Sequence, residues 1–213
     1  MKSFHSLFVA ALGVFSSLVA APAASKPNIV ILYADDMGYG DIAAQNPDSK
    51  IPTPNLDRLA REGLRFTDAH SSSGVCTPSR YALLTGRYHW RQFHAIVNSF
   101  EPSVFEPGRL TLPGFLRAQG YATAMFGKWH LGVDFAKRGP NPEDVDYTKP
   151  FAGGPTAHGF ERFFGISASL DMPPYVWLRD DRVTAPPAGR VEDSPAPRLW
   201  RAGPIGADFR MDP

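Results

Sequence analysis

Apolar and polar positions along the chain alternate in blocks that predict strands and helices in turn. Continuous apolar, β-rich runs predict strands at 28–33, 64–69 and 121–126. Runs with helix-start signals and a closing glycine predict helices at 53–63, 77–86 and 111–119. The first strand has no polar alternation, which is typical of a strand buried on both faces of a parallel sheet. The pattern therefore indicates an α/β fold with a mostly parallel sheet flanked by helices.

The two ends of the chain differ from this middle part. Residues 1–23 start with the basic Lys2, continue as an apolar stretch and end in Ala21-Pro22-Ala23, a pattern typical of a cleaved secretory signal. The stretch is shorter than the about 20 residues of a membrane span, so we expect no integral span after cleavage and a secreted or periplasmic protein; an uncleaved anchor is the alternative. Residues 24–213 are expected to form one domain, loop-rich over 133–213, where 12 of the 21 prolines lie.

Composition narrows the function classes. Hydrophobic residues make up 43% and charged residues 20% of the chain, as in ordinary globular proteins. The 22 basic and 21 acidic side chains leave a formal net charge of +1, so nothing favours nucleic acid as a partner. One cysteine cannot form an internal disulfide, and a retained thiol in an exported chain needs a chemical reason.

That cysteine, Cys76, stands where a helix is predicted to begin. Thr77 is a good N-cap and Pro78 suits the first helical position, which places Cys76 just ahead of the helix. Free N–H groups and the dipole make such a position favourable for anions, and Arg80 adds a positive charge in the same turn. The alternative is a buried, chemically inert cysteine.

Two further polar pairs follow predicted strands. Asp35 and Asp36 come directly after the first strand, and their oxygens suit Ca²⁺ or Mg²⁺. Lys128 and His130 follow the strand that ends at residue 126, two apart, so an extended chain presents both on one side. Ligands bind at the carboxyl ends of strands in such sheets, so these pairs are expected to meet. The alternatives are a solvated turn and a surface loop.

Five runs carry a resemblance to a known family. They are Asp35-Asp36-Met37-Gly38-Tyr39-Gly40-Asp41, Thr53-Pro54-Asn55-Leu56-Asp57-Arg58-Leu59-Ala60, Cys76-Thr77-Pro78-Ser79-Arg80 continuing to Gly86, Gly127-Lys128-Trp129-His130-Leu131-Gly132 and His158-Gly159-Phe160-Glu161-Arg162-Phe163-Phe164-Gly165. In this order and spacing, the chain resembles the type I sulfatases of the alkaline phosphatase-like superfamily, from Pro27 to about Asp171.

The resemblance implies roles for the site residues. Cys76 would be oxidised by a formylglycine-generating maturation enzyme, and the hydrated formylglycine would attack the sulfur of a sulfate ester. The metal, Ca²⁺ or else Mg²⁺, would be held by Asp35, Asp36 and the modified Cys76. Arg80 would stabilise the hydrated aldehyde, Lys128 would bind sulfate oxygens, and His130 would act in the proton step. Ser169 and Asp171 would border the substrate pocket, for a small sulfate ester or a sulfated glycan.

The chain departs from the family pattern in its later part. It contains no Asp-Asn pair, no histidine after His158 and no lysine after Lys149, whereas the family completes its metal and sulfate sites with such residues. We therefore expect the N-terminal portion of a sulfatase catalytic domain, truncated and inactive on its own. A phosphonate or phosphate ester hydrolase of the same superfamily and a non-catalytic sulfate- or glycan-binding remnant are the alternatives.

Overall fold

The structure, a computed structural model, describes residues 26–211 and divides into residues 1–34 and 35–213. The predicted signal peptide lies outside the described residues. In the first unit, residues 26–34 form neither helix nor strand, and Val30 and Leu32 are 80% and 77% exposed. The buried strand predicted at 28–33 is therefore wrong for this structure, because β propensity forms a strand only where a neighbouring chain supplies hydrogen bonds.

Three α-helices form in the second unit: α1 (Pro54–Glu62), α2 (Cys76–Thr85) and α3 (Leu112–Ala118). Local signals located α1 and α3 correctly. Gly63 ends α1, and the Thr111 hydroxyl caps α3 by accepting a 3.2 Å hydrogen bond from the Gly114 N–H. Before α1, Thr53 instead donates its hydroxyl hydrogen to Asp57 over 3.1 Å.

Helix α2 begins two residues earlier than the cap signals predicted. Val75 is its N-cap and Cys76 its first helical residue, so Cys76 lies inside the first turn rather than ahead of it. Thr77 does not cap the helix because its hydroxyl is used in the interior of the protein. Gly86 ends the helix as predicted, with the positive φ of 64° that glycine adopts without strain.

The main sheet has four strands in the order β1-β2-β3-β4: β1 (Ala124–Lys128), β2 (Arg162–Ile166), β3 (Leu178–Arg179) and β4 (Arg182–Val183). The predicted parallel pairing holds for β1 and β2, while the other two pairs are antiparallel. A second, antiparallel sheet pairs β5 (Pro187–Val191) with β6 (Gly203–Gly206). Strand β1 starts and ends later than the predicted 121–126, so Lys128 is its last residue rather than a loop residue.

The hydrophobic core depends on the part of the chain that was predicted to be loop-rich. Its buried side chains include Trp129, Leu131, Val133, Phe135, Val145, Phe151, Phe163, Val176 and Leu178, together with Tyr81 of α2. Although 133–213 has few regular elements, it supplies most of these residues. Long-range packing of this kind leaves no periodic signal in the sequence, because irregular segments bury side chains without fixed spacing.

Several large apolar side chains stay exposed among the described residues. Leu64 and Phe66 are 81% and 70% exposed, and residues 64–69 contain no strand, so the strand predicted there is also wrong. Phe126 in the middle of β1 is 75% exposed. Strand β1 lies at the end of the strand order, so one of its edges has no neighbouring strand in the described sheet.

Candidate active site

Three side chains from distant parts of the chain meet where β1 ends and α2 begins. The Nζ of Lys128 lies 2.8 Å from Asp35 Oδ2 and 3.1 Å from Cys76 Sγ. Lys128 is the last residue of β1 and Cys76 the first of α2, so each backbone element ends at the meeting point. The predicted convergence of Asp35, Cys76 and Lys128 is thus found in the structure.

Arg80 joins this group through its own helix. Its side chain is only 10% exposed, and Nη1 donates a hydrogen bond to the backbone carbonyl of Lys128. Nη2 lies 3.6 Å from Asp35 Oδ1. The guanidinium therefore fixes the end of β1 relative to α2 and adds a second positive charge beside the carboxylate, which is more than an exposed arginine would do.

The charges around Asp35 decide its protonation state. Burial alone raises the pKa of Asp35, but the hydrogen bond and charge of Lys128 outweigh it. The charge of Arg80 and a hydrogen bond with Cys76 act in the same direction, so the net pKa lies below its ordinary value. Asp35 is therefore an anion at neutral pH, paired with two cations.

Asp35, Asp36 and Cys76 also form a group of metal-ligand type. One donor atom from each lies within 4.8 Å of the others. Asp36 adopts a positive φ of 54°, so the chain leaves extended geometry between the two carboxylates, as their convergence requires. The two carboxylates fit a hard cation such as Ca²⁺ or Mg²⁺, whereas a thiol suits softer metals. An oxygen-bearing group at position 76 would match the carboxylates better than sulfur does.

His130 lies next to this group but in a different setting from the one predicted. The chain is not extended there, because His130 has a φ of 54°, and the residue is only 1% exposed. Its Nε2 lies 2.8 Å from the carbonyl oxygen of Val97, and its buried Nδ1 has no hydrogen-bond partner among the described residues. A buried nitrogen without a partner is costly unless a ligand completes it.

Burial lowers the pKa of His130, and the nearby charges of Lys128 and Arg80 lower it further. The bond to the Val97 carbonyl and the charge of Asp171 oppose this effect without reversing it. His130 is therefore neutral at pH 7, with Nε2–H donating to Val97. That tautomer leaves Nδ1 as a proton acceptor.

Thr77 is a residue whose role the sequence did not reveal. It is fully buried; its hydroxyl donates to the His130 carbonyl over 2.9 Å and accepts from the Val97 N–H over 3.1 Å. The Thr77 hydroxyl, one residue after Cys76, thus links α2 to the backbone of His130 and to the backbone of Val97. The sequence is compatible with either use of the Thr77 hydroxyl, as a helix cap or as a buried hydrogen-bonding group. Only the folded structure shows which of the two occurs.

Among the described residues, no hydrogen bond or ion pair joins Ser169, His158 or Asp171 to Cys76 or Lys128. Ser169 is half-buried, and its backbone carbonyl accepts a 3.1 Å hydrogen bond from the Met172 N–H; in the described part of the chain it has no recorded side-chain hydrogen bond. His158 is half-buried and its ring stacks against Phe105, with the two ring centroids 4.0 Å apart. Asp171, by contrast, is close enough for its charge to act on His130.

The fold and the cluster define an α/β protein in which charged side chains and metal-type donor groups meet at a strand end. The chain belongs to the sulfatase family, since the family model described as Sulfatase matches residues 27–196. It is 39% identical over 195 residues to the steryl-sulfatase of Mus musculus, an alignment covering 88% of this chain and 28% of that protein. It is 44% identical over 160 residues to the arylsulfatase A of Bos taurus, covering 71% and 27%.

A solved structure supports the same fold. The match is to a protein from work on the metabolism of multiple glycosaminoglycans by Bacteroides thetaiotaomicron, with a TM-score of 0.66 and 34% identity. It covers 80% of this chain and 36% of that one. The predicted α/β, sulfatase-like fold is therefore confirmed. The chain spans less than a third of the length of the two curated relatives, and no helix in the described residues is long and apolar enough to cross a membrane.

Proposed function

We propose that this chain carries the nucleophile and part of the anion and metal site of a sulfuric ester hydrolase. The observation that carries the proposal is the convergence of Cys76 Sγ with Lys128 Nζ at 3.1 Å and with the carboxylates of Asp35 and Asp36 within 4.8 Å. A nucleophile position, an oxyanion-binding cation and metal-type donors are the parts that ester hydrolysis at a tetrahedral anion requires.

The chemistry at position 76 depends on a modification. Cys76 is the substrate of a formylglycine-generating maturation enzyme, and the resulting hydrated aldehyde supplies a hydroxyl nucleophile toward sulfur. The first turn of α2 offers free N–H groups to the developing negative charge there. Arg80, held between Asp35 and the Lys128 carbonyl, directs a second positive charge at the same place.

The protein's own groups bind and orient the ester. Lys128 is a compact point charge, and its ammonium binds the oxygens of the sulfate. His130 is neutral, and its unpartnered Nδ1 accepts or returns a proton beside position 76. Asp35 and Asp36 hold a divalent cation, Ca²⁺ or Mg²⁺, which would supply positive charge toward the sulfate oxygens. Ser169 borders the substrate, a small sulfate ester or a sulfated glycan.

The proposal is tested first at Cys76. The chain is coexpressed with a formylglycine-generating enzyme, and the peptide that contains Cys76 is analysed by mass spectrometry and with an aldehyde-reactive hydrazide. We expect an aldehyde in the wild type and none in the Cys76→Ala variant. Absence of the aldehyde from the coexpressed wild type, with the thiol intact, would argue instead for the non-catalytic sulfate- or glycan-binding protein.

The reaction class is tested with the converted chain. Matched aryl sulfate, phosphate diester and phosphonate esters are compared by competition for binding. We expect the sulfate ester to bind most tightly; preference for a phosphorus ester would favour the alternative hydrolase. We expect no measurable turnover by the 213-residue chain alone, since the described residues bring together only three side chains of metal-ligand type where Ca²⁺ takes about six to eight oxygen ligands. Measurable turnover would contradict that expectation.

Export of the chain is part of the proposal. Residues 1–23 act as a secretory signal, and the mature chain resides outside the cytoplasm, in the periplasm or the medium. N-terminal sequencing of the chain recovered from a secreting host tests this. We expect cleavage near Ala24, and recovery of the chain with an intact N-terminus and bound to membranes would support the anchor instead.

A further inference from the structure

Arg201 has an environment that the proposed site does not use. It is exposed, and its backbone N–H donates a 3.1 Å hydrogen bond to the carbonyl of Asp171. Its Nη1 lies 3.5 Å from the side-chain oxygen of Asn98. Among the described residues, no carboxylate lies within ion-pair distance of the Arg201 guanidinium. The charge is thus held in position by a backbone bond and a neutral neighbour, and it has no direct ion pair among the described residues.

Both anchors of Arg201 belong to segments that contact His130. Asn98 follows Val97, whose carbonyl faces Nε2 of His130 and whose N–H donates to Thr77. Thr77 in turn is the neighbour of Cys76 in the first turn of α2. Two hydrogen bonds and the chain connections of residues 76–77 and 97–98 thus link the Arg201 guanidinium to the nucleophile position.

The second anchor, Asp171, belongs to another segment that contacts His130. In the segment from Ser167 to Asp171, the carbonyl of Ser167 accepts a 3.0 Å hydrogen bond from the His130 N–H. Asp171, at the end of this segment, is the residue that binds the Arg201 backbone. Arg201 thus bridges two segments that both contact His130, and it lies just beyond residue 196, where the match to the family model ends.

We propose that Arg201 binds a second oxyanion of the substrate, a carboxylate or a further sulfate, when the reacting sulfate ester lies at Lys128 and Cys76. A planar guanidinium without a carboxylate partner offers paired N–H donors to such a group. The inference rests on the proposed function and narrows its substrate class to polyanionic sulfate esters, such as acidic sulfated glycans. A neutral sulfate ester would leave this charge unused.

A matched set of ligands tests the assignment without turnover. The unconverted wild-type chain is titrated calorimetrically with a neutral disaccharide bearing one sulfate. The same disaccharide is then used with an added uronic carboxylate, and in a third form with a second sulfate. We expect the dianions to bind roughly fivefold tighter in low salt, and the preference to shrink as salt rises. The two dianions separate the carboxylate from the sulfate as the group bound.

Variants assign the preference to one side chain. Arg201→Ala should remove the preference for both dianions and leave affinity for the monosulfate unchanged, while Arg201→Lys should retain part of it. Arg198→Ala is the matched control, because Arg198 is an exposed arginine of the same segment that lies over the Trp200 ring, 5.5 Å from its centroid. A preference that survives in Arg201→Ala, or is absent from the wild type, overturns the inference.

The proposed function fails separately. Lys128→Ala should weaken all three ligands alike, because it removes the cation for the shared sulfate. Monosulfate binding that depends on Lys128, without any effect of Arg201, leaves the hydrolase proposal standing and removes only the second anion site. Ligand binding that does not depend on Lys128 contradicts the hydrolase proposal. In that case, a preference for the dianions that is lost in Arg201→Ala would still assign an anion site to Arg201.

Discussion

The ammonium of Lys128 lies 3.1 Å from the sulfur of Cys76, although 52 positions separate the two residues in sequence. The same ammonium is 2.8 Å from Asp35 Oδ2, so one cation faces both a nucleophile position and a metal-type carboxylate. A divalent cation at Asp35 would therefore compete with Lys128 for the carboxylate, and it would free the ammonium for an incoming anion.

Because of this competition, removing the Lys128 ammonium should change the affinities for Ca²⁺ and for sulfate in opposite directions. Lys128→Ala should raise the affinity of the chain for Ca²⁺ by up to about fivefold, because a partly exposed ion pair of this kind contributes up to about 1 kcal/mol. The same variant should weaken sulfate binding. Calorimetric titrations with CaCl₂ and with sodium sulfate measure both effects. Lys149→Ala, at an exposed lysine, should change neither, and a Ca²⁺ affinity that falls in Lys128→Ala would contradict the competition.

The Thr77 hydroxyl provides a test of the interior behind the site. Thr77→Val keeps the shape but leaves the His130 carbonyl and the Val97 N–H without a partner in a fully buried position. We expect a loss of about 2–4 kcal/mol in the free energy of unfolding, measured by urea denaturation. Thr77→Ser keeps both hydrogen bonds and should lose only about 1 kcal/mol for the methyl group. Equal losses in the two variants would exclude the hydrogen bonds as the cause.

Buried histidines make stability depend on pH near neutrality. Burial lowers the pKa of both His130 and His158 from 6.5, although neighbouring hydrogen bonds and carboxylates partly offset it. The unfolded chain then binds more protons than the folded chain, so stability is present above about pH 6.5 and is lost as the pH falls below it. We expect the free energy of unfolding to decrease by up to about 1.4 kcal/mol per pH unit for each histidine.

Denaturation between pH 8 and pH 5 measures this slope. His158→Phe retains an aromatic ring against Phe105 and should show a shallower slope than the wild type. The exposed His70 is the control position, and His70→Gln should leave the slope unchanged. A wild-type stability that rises as the pH falls from 6.5 to 5 would contradict the burial of neutral imidazoles.

Glu106 makes the free energy of unfolding depend on pH in a second, more acidic pH range. Hydrogen bonds from Arg109 lower the pKa of Glu106 to about 2, against the effect of burial and with help from the Tyr81 hydroxyl, which donates over 2.7 Å. Because the pKa of Glu106 is lower in the folded chain than in the unfolded chain, the ionised carboxylate stabilises the fold above about pH 4.5. That stabilisation is lost as the pH falls toward 2. Glu106→Gln should cost about 1–3 kcal/mol at pH 7 and flatten the acid limb. The exposed Glu62→Gln should do neither.

The sequence predicted the parts of the fold that local chemistry determines. Helix α3 needs only the Thr111 cap and a helix-ending glycine after it, both visible in the sequence. The strand predicted at 28–33 required a neighbour that no local pattern specifies. Thr77 has the chemistry of a helix N-cap, but in the structure its hydroxyl bonds to the backbone of His130 and Val97 instead. The core side chains after Val133 pack from irregular segments, which have no periodicity to detect.

The convergence of the candidate site residues was predicted because they lie in short specific runs beside a strand end or a helix start. Asp35, Cys76, Arg80 and Lys128 converge as the sequence indicated. The positions of Asn98 and Arg201 were not indicated, because their proximity arises from contacts between segments about a hundred residues apart.

The two residues after Lys128 have a hydrogen-bonded and buried backbone. The N–H groups of Trp129 and His130 donate to the carbonyls of Ile166 and Ser167, and both side chains are sealed from solvent. Such amides exchange with deuterium only through large opening motions. The backbone that carries the Lys128 ammonium is thus already ordered before any anion arrives, so binding at this point requires little further loss of main-chain entropy.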